Sequence, residues 1–196
     1  MSIRRATLLL ACLAVAALVA VGLTQLPKSS PSETFVPMTA GEQATLLSAS
    51  PSPLAALHRQ GGRLLGGGTR AFAARLAALR SYPIVINKWA SWCVPCRAEF
   101  GAFQRVAARY GRRVAFLGLD SGDSSRAAAL AFLRAHPVSY PSYYDPSGAL
   151  GARVTDSSFT PVTLFVPLRG VPFPRQGQYP SAAKLEEDVL RYALGS

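Results

Sequence analysis

Two cysteines, Cys93 and Cys96, stand two residues apart in Trp92-Cys93-Val94-Pro95-Cys96, where an apolar run gives way to a helical pattern. Thiols at that spacing can close a small disulfide ring. At a helix start, the first of them faces unpaired backbone N–H groups and the positive end of the helix dipole. That setting lowers the pKa of Cys93, and the thiolate is the species that attacks a disulfide. Cys96, less exposed, is placed to resolve the mixed disulfide that results. Pro95 suits the first helical turn, where its missing N–H costs nothing. Trp92 gives the pair an exposed aromatic flank.

Other chemistries fit these residues less well. A zinc knuckle needs two further Cys or His ligands at suitable spacing, and His58 and His136 are isolated. A peroxidase calls for a Thr three residues before its cysteine, where Ala90 stands. An inert structural disulfide is disfavoured by the Trp-flanked position at a helix start. Dithiol exchange is the strong reading.

The elements that must carry this motif alternate. Thr69 to Arg80 spaces Phe72, Leu76 and Leu79 as one helical face, and Pro83 ends it. Ile84-Val85-Ile86 opens a buried strand that leads to the cysteines. Pro95 to Tyr110 is helical, with Phe100, Phe103, Val106, Ala107 and Tyr110 on one side. Val114–Leu119 is a second strand, ending at Asp120, which together with Asp123 is expected to cap the next helix. That helix spans Ser124–Ala135 and has a serine N-cap. Ser139–Tyr144 is a short aromatic strand closed by the turn at 145–148, its Tyr140, Tyr143 and Tyr144 serving sheet packing. Val162–Val166 and Val171–Tyr179 pair through the Arg169-Gly170 turn, and Ser181–Leu194 makes a final amphipathic helix. Such alternation means a layered α/β sheet with helices on its faces. His136, before Pro137, reads as a cationic cap on a helix C-terminus, and His58 as exposed.

Length and composition agree with one domain plus appendages. The chain has 196 residues, 49% of them hydrophobic and 16% charged, too apolar for disorder. Three cysteines are too few for a disulfide scaffold. The net charge of +11 would suit a polyanion. The bases are scattered, however, and the densest group, Arg105, Arg109, Arg112 and Arg113, follows a solvated helix face without interleaved aromatics. Nucleic acid is not an expected partner.

Residues 6–26 carry no charge and follow Arg4 and Arg5. A helix of that length reaches about 30 Å, the thickness of a hydrocarbon core. The segment 1–26 is read as a signal-anchor, with its N-terminus inside and the rest of the chain outside. Cleavage after the small residues Ala20-Val21-Gly22, or lipidation of Cys12, are the alternatives. Each version places the domain outside the cytoplasmic membrane, where disulfides persist. Residues 27–53, rich in Pro and Ser, read as a tether with a short helix possible at Gln43–Leu47, and 54–196 as the folded domain.

The stretch from Ile84 to Phe100, IVINKWASWCVPCRAEF, resembles the active site of the thioredoxin superfamily. More narrowly, it is similar to the membrane-anchored TlpA/ResA/CcmG-like thiol-disulfide oxidoreductases, over Leu54 to Ser196. The resemblance implies a thioredoxin-like α/β fold: a central mixed β-sheet flanked by helices, with an N-terminal membrane-anchor helix. It makes Cys93 the nucleophile and Cys96 the resolving thiol of a redox-active disulfide. It makes Pro161 the cis-proline that faces them, and Thr160 a source of backbone hydrogen bonds to a substrate strand. Glu99 matches the glutamate that tunes thiol protonation. No bound cofactor is implied, because the dithiol carries both electrons. The implied partners are protein thiols and disulfides, cytochrome c apoproteins among them, and a membrane electron-donor thiol protein. The direction is read as reduction. A disulfide-forming oxidant or isomerase is the alternative, and a copper-binding module using the cysteines and His136 is more distant.

The chain departs from that pattern at three positions. Asn87 stands where thioredoxins keep an aspartate, which leaves proton management to Glu99. Lys88 stands where the family usually has a large aromatic, and is expected either to snorkel to the surface or to pair with Glu99. Gly101 replaces a proline, which puts a helix kink there in doubt.

Overall fold

A computed structural model describes residues 37–196. The expected anchor at 6–26, Cys12 and the first part of the tether lie outside the described residues. Among those described, no helix is long and apolar enough to cross a membrane.

In chain order the elements are α1 (Ala40–Leu47), α2 (Ser52–His58), β1 (Leu64–Leu65), α3 (Gly68–Ala78), β2 (Ile84–Trp89) and α4 (Val94–Tyr110). They continue with β3 (Ala115–Ser121), α5 (Arg126–Ala135), β4 (Ser142–Asp145), α6 (Gly151–Val154), β5 (Val162–Val166), β6 (Phe173–Gln176) and α7 (Ala182–Asp188). Among the described residues they form one mixed sheet in the order β1-β4-β3-β2-β5-β6. Strand β2 runs parallel to β3 and antiparallel to β5, so it lies at the centre and every one of its residues is buried.

Period-two alternation splits this sheet into two cores. Val85, Trp89, Phe116 and Phe165 face one side, under α4, α5 and α7, where they meet Phe100, Phe103, Phe132 and Leu185. Ile84, Ile86, Leu117 and Leu119 face the other side, against Leu54 and Leu57 of α2 and Phe72 of α3. Trp89 stacks on Phe132 at 4.7 Å between ring centroids, and its indole N–H donates to Ser142 Oγ at 3.1 Å. Gly118 on the neighbouring strand makes room for that bond, since a side chain there would collide with Ser142 and the indole.

Four differences from the sequence reading have physical causes. The tether composition extends to Pro53, yet residues from Ala40 onward are folded. Thr39 and Glu42 form a reciprocal capping box that starts α1, and Gln43 and Leu47 are buried. Gln104 of α4 then accepts from Met38 N–H at 2.7 Å and donates back to its carbonyl at 3.2 Å. His58 is not exposed: its ring nitrogens lie 2.9 Å from the Gly111 carbonyl and 3.3 Å from that of Ser139. Helix α5 is capped by Ser125, whose side chain accepts from Ala128 N–H, rather than by Ser124 or Asp120. The last helix is not uniformly α-helical. Beyond α7 a π-helical segment, Val189–Leu194, carries Tyr192 onto Phe173, with the two rings stacked at 3.9 Å. Helix α4 continues unbroken past Gly101 to Tyr110.

Candidate active site

The central strand β2 ends at Trp89, at the C-terminal end of the sheet, and Cys93 is the N-cap of α4. Its backbone is extended there, at φ −79° and ψ 104°, which turns the sulfur back over the helix start. Cys93 and Cys96 are joined as a disulfide with their Cα atoms 5.3 Å apart. Cys96 N–H donates to Cys93 Sγ at 3.1 Å, so one orphan donor of the helix already points at the sulfur that would carry negative charge after reduction. Both cysteines are buried, Cys93 at 2% exposure and Cys96 at 0%.

The Thr160–Pro161 peptide bond is cis and immediately precedes β5. It sets the Thr160 carbonyl oxygen 3.7 Å from Cys93 Sγ. Around this point the surface is apolar: Trp92, Val94 and Phe159 are 63%, 73% and 71% exposed. Trp92 and Thr160 were named as site residues in the sequence reading. Phe159 and Val94 were not, because an isolated apolar residue carries no sign of its exposure.

Glu99 lies three residues after Cys96 on α4, on the same face of the helix, and is fully buried. Asn87 Nδ2 donates to its Oε1 and Tyr179 N–H to its Oε2, each at 3.0 Å. Burial pushes the Glu99 carboxyl up to about 8, against the pull of those two donors and of Arg175. Tyr179 is itself fixed, its hydroxyl donating to Asp188 Oδ2 at 3.0 Å. Arg175 lies over the Tyr179 ring at 3.9 Å and pairs with Asp188 at 3.3 Å. Tyr179, Arg175 and Asp188 carry no sequence motif, and the contact to Glu99 is a backbone N–H, which any residue type could supply.

Lys88 does not pair with Glu99. Alternation along β2 turns Asn87 toward α4 and Lys88 to the opposite face, where its Nζ donates to the Ser157 carbonyl at 2.7 Å. Nor does it extend into open solvent: Lys88 is 6% exposed, and burial holds its pKa below the usual lysine range, with Asp145 acting the other way. Asp120 is no helix cap but a fully buried acid whose oxygens meet no N–H donor and which hydrogen-bonds to the neighbouring acid Asp123. Burial, Asp123 and Asp145 push it up to about 8, with Arg126 opposing. Asp123 accepts from Ser91 N–H at 2.8 Å and from Ser125 N–H at 3.3 Å, tying the loop before the cysteines to the end of β3.

His136 does occupy the C-cap of α5, but not as a cation. Its ring packs edge-on against Phe132 at 4.5 Å, and burial together with Arg97 lowers its pKa. Among the described residues no three His, Cys, Asp or Glu side chains are grouped so as to hold a metal ion.

Comparison with known proteins adds independent findings. A family model described as AhpC/TSA matches residues 69–165. The chain is 40% identical over 68 residues to the thiol:disulfide interchange protein DsbE of Allochromatium vinosum, covering 34% of this chain and 36% of that one. It is 30% identical over 95 residues to DsbE of Pseudomonas fluorescens biotype C, covering 48% and 51%. With the thioredoxin-like protein YneN of Bacillus subtilis it shares 28% identity over 90 residues, covering 45% and 52%. The chain thus spans about half or less of the length of these relatives. Among solved structures, it superposes on Mycobacterium tuberculosis DsbF with a TM-score of 0.54 at 26% identity, covering 59% of this chain and 84% of that one. A DsbF homologue from Corynebacterium diphtheriae matches with a TM-score of 0.51 at 26% identity, covering 58% and 74%. The fold is thioredoxin-like, a mixed sheet flanked by helices.

Proposed function

We propose that this chain, which has a thioredoxin-like fold and matches the AhpC/TSA family model over residues 69–165, exchanges electrons with protein disulfides outside the cytoplasmic membrane, acting as a reductase. One observation carries the reading: Cys93 caps α4 with a helix N–H aimed at its sulfur, beside the carbonyl of a cis-proline segment.

In the reduced protein, the helix terminus and the Cys96 N–H stabilise a Cys93 thiolate. That thiolate attacks one sulfur of a substrate disulfide, and the other sulfur leaves as a thiolate that takes up a proton. Cys96 then loses its proton and attacks Cys93 Sγ, releasing the substrate dithiol and leaving the Cys93–Cys96 disulfide. Two electrons pass to the substrate. Glu99 in its ionised form is the group placed to take the Cys96 proton, one helical turn away in the interior. Thr160 offers its backbone, and Trp92 its exposed ring, to the arriving chain. The peroxidase sense of the family name is disfavoured by Ala90, where a helper hydroxyl would be required.

Residues 6–26 would hold the domain at the membrane, and a membrane thiol protein would restore the dithiol. Apocytochromes c, which present cysteine pairs, are the candidate clients. A redox titration of the full chain in detergent, followed by Trp fluorescence, tests the direction. A midpoint at or below about −220 mV supports reduction, and one near −120 mV makes the protein a disulfide donor instead.

A further inference from the structure

Beside the dithiol lies an open groove of about 510 Å³ whose lining includes Trp92, Thr160 and Lys88. Trp92 adjoins Cys93 in sequence and the Thr160 carbonyl lies 3.7 Å from its sulfur, so the groove borders the surface where a polypeptide would dock on Cys93. The remaining lining is mostly of small residues, with hydroxyls from Ser121, Thr155 and Ser157 among them.

Lys88 is the unusual element. An ammonium carries three donors. Here Nζ donates to the Ser157 carbonyl, and among the described residues no ion pair includes it. Asp145, the carboxylate that acts on it, is committed elsewhere: its Oδ2 accepts from Ser121 Oγ at 3.0 Å and from Gly151 N–H at 2.8 Å. Asp156 lines the groove too, but it is exposed, where water screens it. A nearly buried cation without a close counter-ion is unfavourable, and an incoming anion relieves it. An apolar side chain entering the groove would bury the ammonium further without pairing it, and a basic one would be repelled.

We propose that this groove is a specificity site for a carboxylate: it receives an aspartate or glutamate side chain of the substrate polypeptide, next to the cysteine that Cys93 attacks. The proposal rests on the exchange reading above. It assigns Lys88 the role of pairing with the substrate, where the resemblance would have placed an aromatic side chain.

The test uses the full-length reduced protein and a set of disulfide-linked peptides in which glutamate or glutamine occupies each position flanking the cysteine in turn. At one such position the glutamate peptide should be reduced about 10-fold more efficiently in kcat/KM, the worth of one charged hydrogen bond. The difference should lie in KM and shrink with added salt. In Lys88→Met the ratio should fall to near one, and in Lys88→Arg it should persist. Equal reduction of the glutamate and glutamine peptides by the unmodified protein overturns the proposal, as does a preference that survives in a folded Lys88→Met. The unmodified protein alone is decisive if Lys88→Met fails to fold. Reduction of none of the peptides would instead overturn the exchange reading itself.

Discussion

Two buried carboxyls near the dithiol are pushed to the same value, about 8, by different surroundings. Glu99 has both oxygens engaged, by the Asn87 amide and the Tyr179 N–H, and only burial keeps its proton in place. Asp120 has no N–H donor on either oxygen; its hydrogen bond to the neighbouring acid Asp123 favours the protonated form, and the charges of Asp123 and Asp145 reinforce its burial. The distinction matters for chemistry. A carboxylate formed at Glu99 meets two donors ready to hold it, so the residue can take a proton and return it within a catalytic cycle. A carboxylate formed at Asp120 meets two like charges, so ionisation there strains the end of β3. Glu99 also shares a helix face with Cys96, whereas Asp120 reaches the cysteine loop only through Asp123 and Ser91. Equal pKa values therefore do not mean equal roles: in the proposed exchange one acid serves the thiols, and the other is a cost to stability.

The largest effect should come from removing the nucleophile. Cys93→Ser should lose turnover altogether in a disulfide-reduction assay, leaving both acids as reporters of stability alone. Next comes Glu99→Gln, which keeps the shape and removes the titration. It should slow exchange on the order of 10²-fold, as loss of a general acid–base group does, measured as single-turnover resolution by Cys96. Asp120→Asn should leave that rate at the level of the unmodified protein. Its effect should appear in thermal melts as a function of pH. A raised acid binds a proton in the folded state that the unfolded chain has already released, so folded stability falls as pH rises from about 4 to about 8 and levels off above. Asp120→Asn should therefore gain melting temperature over the unmodified protein between pH 5 and pH 8, and little at pH 4. The smallest effect should be that of Tyr179→Phe. It removes the hydroxyl bond to Asp188, worth about 1 kcal/mol in urea denaturation, and keeps the N–H that holds Glu99.

What the sequence disclosed follows from the range of the interactions involved. Cys93, Pro95 and the helix to Tyr110 were legible because capping, proline placement and helical period act over a few residues. The strand Ile84–Trp89 was legible in its apolar start, and alternation along it already put Asn87 and Lys88 on opposite faces. Which face lay under α4 depended on packing from elsewhere, and so the pairing of Lys88 with Glu99 was misjudged. The capping box Thr39-Ala40-Gly41-Glu42 was present in the sequence and outweighed the Pro/Ser composition around it. The burial of Asp120 left no local trace, since Asp123, Asp145 and Arg126 come from separate segments. Tyr179 acts on Glu99 across 80 residues through its backbone, which no side-chain pattern records.

The comparison is tested most directly by the pH–rate profile of Cys96-dependent resolution in the unmodified protein, Glu99→Gln and Asp120→Asn. An inflection near pH 8 is expected in the unmodified protein and in Asp120→Asn, and its loss in Glu99→Gln. An inflection that survives in Glu99→Gln and disappears in Asp120→Asn would contradict it.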